Sequence, residues 1–220
     1  ACLVGSEMCI RDSYFMSNLT TGSAIYFMKH VLGNGSLLGL FSMMKMFPVI
    51  IALIFTPILV KKTGSMQKVN FWGYVISDIL GIFLIIFAMQ KNLPMMLLFM
   101  FLKGTFAGTM SGTLNALIAE ISGYTYRTKG VHIDGMMFSC SSLGVKVGGG
   151  IGTAAVGWLL HAAGYAGKAA TQTAAATNMI FSMYITIPVI LGVVITILLG
   201  LMKVEKENKR IDMERAEQAD

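Results

Sequence analysis

Long apolar stretches separated by short polar breaks run through the whole chain, at 14–31, 36–60, 69–89, 95–118, 134–163 and 178–202. Each holds roughly 20–30 residues, enough for a helix to cross a ~30 Å hydrocarbon core with some tilt. The breaks carry turn chemistry or charge: Gly33-Asn34-Gly35, the basic turn 61–68, Lys91-Asn92-Leu93-Pro94, the polar loop 119–133 and the small-residue loop 164–177. Pro48 and Pro57 fall inside the second stretch. Membrane helices tolerate proline where neighbours satisfy the freed carbonyls. The pattern predicts an all-α polytopic membrane protein, a bundle of six transmembrane helices. The first stretch starts abruptly and reads as a helix shortened at its front.

Composition agrees. The chain has 220 residues, of which 55% are hydrophobic and 13% charged, and its mean hydropathy is +0.70. A soluble domain carries about 25% charge. The net charge of +6 does not mark a nucleic-acid binder, because the lysines are scattered through short loops and spans. Basic residues do separate by side. Lys61, Lys62, Lys68, Arg127, Lys129 and the tail residues Lys203, Lys206, Lys209, Arg210 and Arg215 share one set of connections, whereas the other holds Lys29, Lys91 and Lys168. The positive-inside rule puts the first set, with the C-terminus, in the cytoplasm.

Four charges lie within spans: Lys45, Asp78, Lys103 and Lys146. A cation at the bilayer centre costs roughly 2.5–3.5 kcal/mol on the most lenient scale, so it faces a bundle interior or a wet cavity and marks function by default. Lys146 stands near the middle of the fifth span, with Gly144, Gly148, Gly149, Gly150 and Gly152 around it. Ser142 shares its helix row. Asp78 has a similar depth, which permits a pair with Lys146. Three cations against one carboxylate imply compensating acids elsewhere. Gly104, Gly108 and Gly112 recur every fourth residue, as do Gly144, Gly148 and Gly152; such rows let membrane helices approach closely. Glu120 and Tyr124 stand one turn apart at the end of the fourth span, and His132 and Asp134 at the mouth of the fifth.

Enzyme chemistry finds no support. The sequence has no phosphate-binding Gly-Lys-Ser/Thr loop, no nucleophile with a base, and no metal-ligand spacing at any histidine. No cofactor and no metal are expected. Residues 1–13 differ in character from the rest of the chain, and Leu3 to Ser13 (LVGSEMCIRDS) resembles the translation of a sequencing-library adapter. They are read as a non-native assembly scar. Setting them aside removes Cys2 and Cys9 and leaves Cys140, so no disulfide is implied. The tail 203–220 alternates charges and reads as a solvated cytoplasmic end.

The stretch 119–165 (AEISGYTYRTKGVHIDGMMFSCSSLGVKVGGGIGTAAVGWLLHAAGY) resembles the glycoside–pentoside–hexuronide:cation symporters. These form the melibiose-carrier group of the major facilitator superfamily. In that family the loop between the tenth and eleventh helices reads A-D-x-x-D-Y and then R-x-E-[GS], before a serine-bearing helix with a central lysine and a closing Gly-Tyr. Here Ala119-Glu120 and Gly123-Tyr124 stand at the two acidic positions, and His132-Ile133-Asp134-Gly135 replaces the R-x-E-G segment. Ser139, Lys146 and Gly164-Tyr165 fall on the family's Ser, Lys and Gly-Tyr. Gly123 and His132 depart from the pattern, which weakens the cytosolic charge network.

The resemblance implies a chain equivalent to helices VII–XII, the C-terminal half of a bacterial cytoplasmic-membrane symporter that moves a sugar or glycoside with Na+, H+ or Li+ by alternating access. Its partners would be the lipid bilayer, the substrate and the N-terminal six-helix half, with no nucleic acid. Lys146, Ser142 and Asp78 would serve cation coupling or the substrate cavity. Glu120, Tyr124, His132 and Asp134 would form a cytosolic gate. Two alternatives keep the same helices: a lysolipid or other organic-anion carrier, and a non-transporting membrane sensor.

Overall fold

The computed structural model describes residues 2–167, 169, 171–201, 210 and 213, with side chains from Asp12 onward except those of Leu114, Leu117, Ile121 and Lys129. Among the described residues every regular element is helical. The segments are α1 (Cys2–Tyr26), α2 (Leu37–Thr63), α3 (Met66–Met89), α4 (Leu93–Ala107), α5 (Thr109–Lys129), α6 (Asp134–Ala162), α7 (Ala174–Phe181) and α8 (Ile187–Leu201). A π turn, Phe27–Val31, closes α1, and another, Ser182–Thr186, joins α7 to α8. Segments α4 with α5, and α7 with α8, run on as single rods, so the described residues form six rods. Five are long and apolar enough to cross a membrane: Leu37–Thr63, Met66–Met89, Leu93–Thr128, Asp134–Ala162 and Ala174–Leu201.

Local chemistry sets the boundaries. Gly64 and Gly130 end α2 and α5 in the left-handed region, at φ 63° and 68°, where glycine pays no Cβ penalty. Ser65, Asn92 and Thr173 cap α3, α4 and α7 by accepting hydrogen bonds from Lys68, Met95 and Ala176 backbone N–H groups, as their short polar side chains favour. The expected loop 119–133 is corrected: helix α5 runs through Lys129, and Glu120 and Tyr124 sit on it. Polarity there marks where the helix leaves the apolar zone, and no breaker intervenes before Gly130. Helix α1 also runs continuously across residues 2–13.

The rods pack in a definite order. Helix α1 lies against α6 and α8, α3 against α4 and α8, and α2 against α4 and α5. One core cluster (Phe27, Phe41, Leu84, Met96, Leu160, Ile180, Met183) gathers the ends of α1, α3 and α6 with the start of α4. A second (Tyr74, Met110, Ile118, Met137, Ile195, Leu199) holds the opposite end. The two π turns meet in the first cluster, where the Phe27 and Tyr184 rings stack at 4.5 Å. The glycine rows behave unequally. Cβ atoms at Gly104 and Gly108 would meet Pro48 at 3.1 Å and Ala52 at 2.8 Å on α2, and one at Gly112 would touch Leu53 and Thr56 at 3.4 Å. On α6, Gly148 and Gly152 are buried, whereas a Cβ at Gly144 would meet open space.

Candidate functional site

Helix α6 has three faces. Met137, Ser141, Gly148, Gly152, Ala155, Val156 and Leu160 are buried. Gly135, Ser139, Ser142, Lys146, Gly150, Thr153 and Gly157 are all exposed, and their spacing of three or four residues keeps them on one stripe. Met136, Leu143, Val147, Ile151 and Trp158 are also exposed, at 67%, 63%, 39%, 47% and 68%, and form a separate apolar stripe. Apart from Phe138, 43% exposed on the row of Ser142 and Lys146, polar and small residues thus occupy one exposed stripe and large apolar ones the other. Ser139 and Thr153 satisfy their hydroxyls within the helix, on Gly135 and Gly149 carbonyls at 2.7 and 2.9 Å. Among the described residues Lys146 forms neither a hydrogen bond nor an ion pair, so the pair with Asp78 that depth alone permits does not form.

The polar stripe continues onto α1. A Cβ at Gly149 would lie 3.2 Å from Asn18 Nδ2, and one at Gly152 would lie 2.7 Å from the Phe15 carbonyl, so glycine lets the two backbones approach. Beyond Asn18, α1 exposes Ser17 and Thr21. Lys45 on α2 reaches across to them, its ammonium donating to Thr21 Oγ1 at 2.7 Å and to the Ser17 carbonyl at 3.4 Å. One face therefore carries Lys45, Ser17, Thr21, Asn18, Gly149, Ser142 and Lys146 across three helices. Sequence reading isolated Lys146 and Ser142 but missed Ser17, Thr21 and Asn18. These hydroxyls and amide look unremarkable until α1 is seen to pack on the glycines of α6.

Asp78 belongs to another place. It is 8% exposed and lies in the seam of α3, α4 and α8. Its Oδ2 is hydrogen-bonded to Thr196 Oγ1 at 2.6 Å, and Lys103 on α4 is the charge within electrostatic reach. Thr196 and Gly192 line the seam without any signal in the sequence.

The residues expected at a cytosolic gate cluster only in part. His132 and Asp134 come together at 3.8 Å on an exposed surface, and the His132 ring stacks on Tyr126 at 4.0 Å, a partner that sequence reading missed. Tyr124 packs against the second core cluster and Glu120 is half-buried on the same helix. At the opposite end, Tyr165 shares a 3.2 Å hydrogen bond with His30 Nε2 and meets Tyr26 edge-on at 5.3 Å. Burial, then the neighbouring Tyr26, pushes the Tyr165 phenol above its ordinary value, so it bonds as a hydroxyl. No cluster of three metal-ligating side chains exists among the described residues.

Comparison with known proteins decides the family. The model of the MFS/sugar transport protein family matches residues 13–206. The chain belongs to that family. That family is one of membrane transport proteins and not of enzymes. Isoprimeverose transporter of Lactiplantibacillus pentosus is 27% identical over 182 residues, which cover 83% of this chain and 37% of that protein. YagG of Escherichia coli (strain K12), whose name describes a glycoside/cation symporter, is 25% identical over 211 residues, covering 93% of this chain and 45% of YagG. An uncharacterized 29.9 kDa protein from the crtE 3' region of Pseudescherichia vulneris is 26% identical over 174 residues, or 78% of this chain and 62% of its own length. The chain thus spans less than two thirds of each of these relatives.

Proposed function

We propose that this chain is the C-terminal six-helix half of a cation-coupled sugar or glycoside symporter of the bacterial cytoplasmic membrane. The observation that carries this reading is the division of exposed α6 into a polar stripe around Lys146 and an apolar stripe around Val147 and Ile151. Lipid accepts the apolar stripe. The polar one needs water, substrate or a second protein surface, since an intramembrane cation left against lipid is costly. The natural occupant is the other six-helix half, with the substrate between the two. Relatives named as sugar and glycoside carriers supply the substrate class.

In this reading Lys146 and Lys45 face carboxylates of the other half across a midplane cavity, and alternating access rocks the halves about it. Ser142, one turn before Lys146, lines the same side. The coupling ion is Na+, H+ or Li+, and Lys146 balances its charge or competes with it. Tyr126, His132 and Asp134, with Glu120 and Tyr124, guard the cytosolic end; the tail 203–220, read as cytoplasmic from its charges, lies outside the described residues but for 210 and 213. The test is transport in the complete carrier. Lys146→Ala should abolish accumulation driven by the ion gradient while leaving protein in the membrane. Lys146→Arg should also fail, because a planar guanidinium does not replace a compact ammonium. Equal accumulation ratios in wild type and Lys146→Ala, with and without the gradient, would refute the role.

A further inference from the structure

The seam of α3, α4 and α8 holds an ionisable group that the polar face does not use. Asp78 Oδ1 is fully buried and, among the described residues, has no hydrogen-bond partner. A Cβ at Gly192 would collide with that oxygen, and one at Gly81 would lie 3.4 Å from Lys103 Nζ. Two glycines therefore make room for an acid and a lysine inside the membrane.

The two contacts of the Thr196 hydroxyl bear on the state of the acid. Thr196 Oγ1 stands 2.6 Å from Asp78 Oδ2 and 3.1 Å from the Gly192 carbonyl. A threonine hydroxyl donates once and accepts twice. Threonines in helices habitually give that proton to the carbonyl four residues back, which here is Gly192. The contact with Asp78 then needs a proton from the carboxyl. Two further features agree. An ionised carboxylate would leave Oδ1 bare in an apolar seam, whereas buried charge requires partners. A nearby flexible lysine would also swing onto it, yet among the described residues Asp78 and Lys103 form no ion pair. Lys103 and Thr196 are the charged and polar side chains facing Asp78 from α4 and α8.

We infer that Asp78 is a proton-binding site: a neutral carboxylic acid that donates to Thr196, with Lys103 held ready as counter-charge for the ionised form. Releasing the proton breaks the Oδ2–H bond, leaves both electrons on the carboxylate and passes the proton to water. The Lys103 ammonium then closes onto the carboxylate and draws α4 toward α3. Such a site lies behind the polar face and does not depend on which solute crosses it.

Infrared spectroscopy of the 220-residue chain in lipid vesicles, with isotope-labelled aspartate carboxyls, tests this without a transport assay. The other aspartates, Asp12, Asp134, Asp212 and Asp220, lie at the ends of the chain or at the exposed start of α6. A protonated aspartate carbonyl band at neutral pH should therefore report Asp78, and Asp78→Asn should remove it. Thr196→Val, which removes the acceptor, should move the band to the higher frequency of a free acid. Lys103→Met should shift the pH at which the band fades upward by roughly one to three units, because an opposite charge favours the ionised form. Asp78→Asn mimics the neutral acid and should insert as wild type does. If the variant does not fold, Thr196→Val and Lys103→Met still decide. Absence of a labelled acid band at neutral pH, or a band indifferent to both substitutions, overturns the assignment.

Discussion

Single atoms separate glycines that look alike in the sequence. Gly144 and Gly152 sit in the same four-residue row, yet a Cβ at Gly152 would stand 2.7 Å from the Phe15 carbonyl and one at Gly144 would touch nothing within 4 Å. A backbone carbonyl cannot step aside as a flexible side chain can. Gly152→Ala should therefore push α1 off α6 at about 1–3 kcal/mol, the range for overpacking. Gly144→Ala should be neutral or stabilise by about 0.5–1 kcal/mol through helix propensity. Thermal unfolding of both variants in detergent checks the contrast; equal effects would mean that α1 does not lie against α6 as described. The buried bond from Asn70 Nδ2 to Thr113 Oγ1, at 2.7 Å, makes a second test. Asn70 Oδ1 is already without a partner. Thr113→Val keeps the shape but strands the amide, and should cost about 1–3 kcal/mol in the same measurement. An unchanged midpoint would show that Asn70 finds another acceptor.

Elements were legible where apolarity and helix coincide and illegible where they part. Helix α6 begins at the expected Asp134 and ends at Ala162, because an acidic residue opens it and uninterrupted small and apolar residues succeed it. Helix α5 was curtailed in expectation, since the charges of 119–133 resemble a loop. A helix does not need apolar residues to continue, only the absence of a breaker, and the first one met is Gly130 at φ 68°. The break at Gly108 and the two π turns were invisible in the pattern. Each depends on a neighbouring helix: Ala52 and Val49 crowd Gly108, and the π turns close around Phe27 and Tyr184. For the candidate site, Lys146 announced itself by its charge, whereas Thr21, Asn18 and Thr196 acquire meaning only from the helix that packs beside them. Gly108→Leu should consequently disturb the α4–α5 junction against α2 and lower the unfolding midpoint, while Gly150→Ala, with open space around it, should not.

At the scale of the molecule, the six rods leave one face that neither lipid nor the bundle's own core accommodates. Lys45 is anchored to Thr21 there and, among the described residues, Lys146 stands without a partner; no described carboxylate neutralises either. In the half-carrier reading this face is completed by a second surface bearing acids, and the chain spans 37% and 45% of two carriers it resembles. The chain alone should then move no sugar, and uptake by vesicles containing it alone would contradict the half-carrier reading. The two stripes of α6 give the finer test. With Cys140 and the N-terminal cysteines replaced by serine, single cysteines at Ser142 and Gly150 should react with a membrane-impermeant thiol reagent in the complete carrier, and substrate should slow the reaction. Cysteines at Leu143 and Ile151, 63% and 47% exposed but apolar in setting, should stay silent, because thiolate formation needs water. If the Leu143 and Ile151 positions label while Ser142 and Gly150 do not, the cavity lies on the other stripe and Lys146 points away from it.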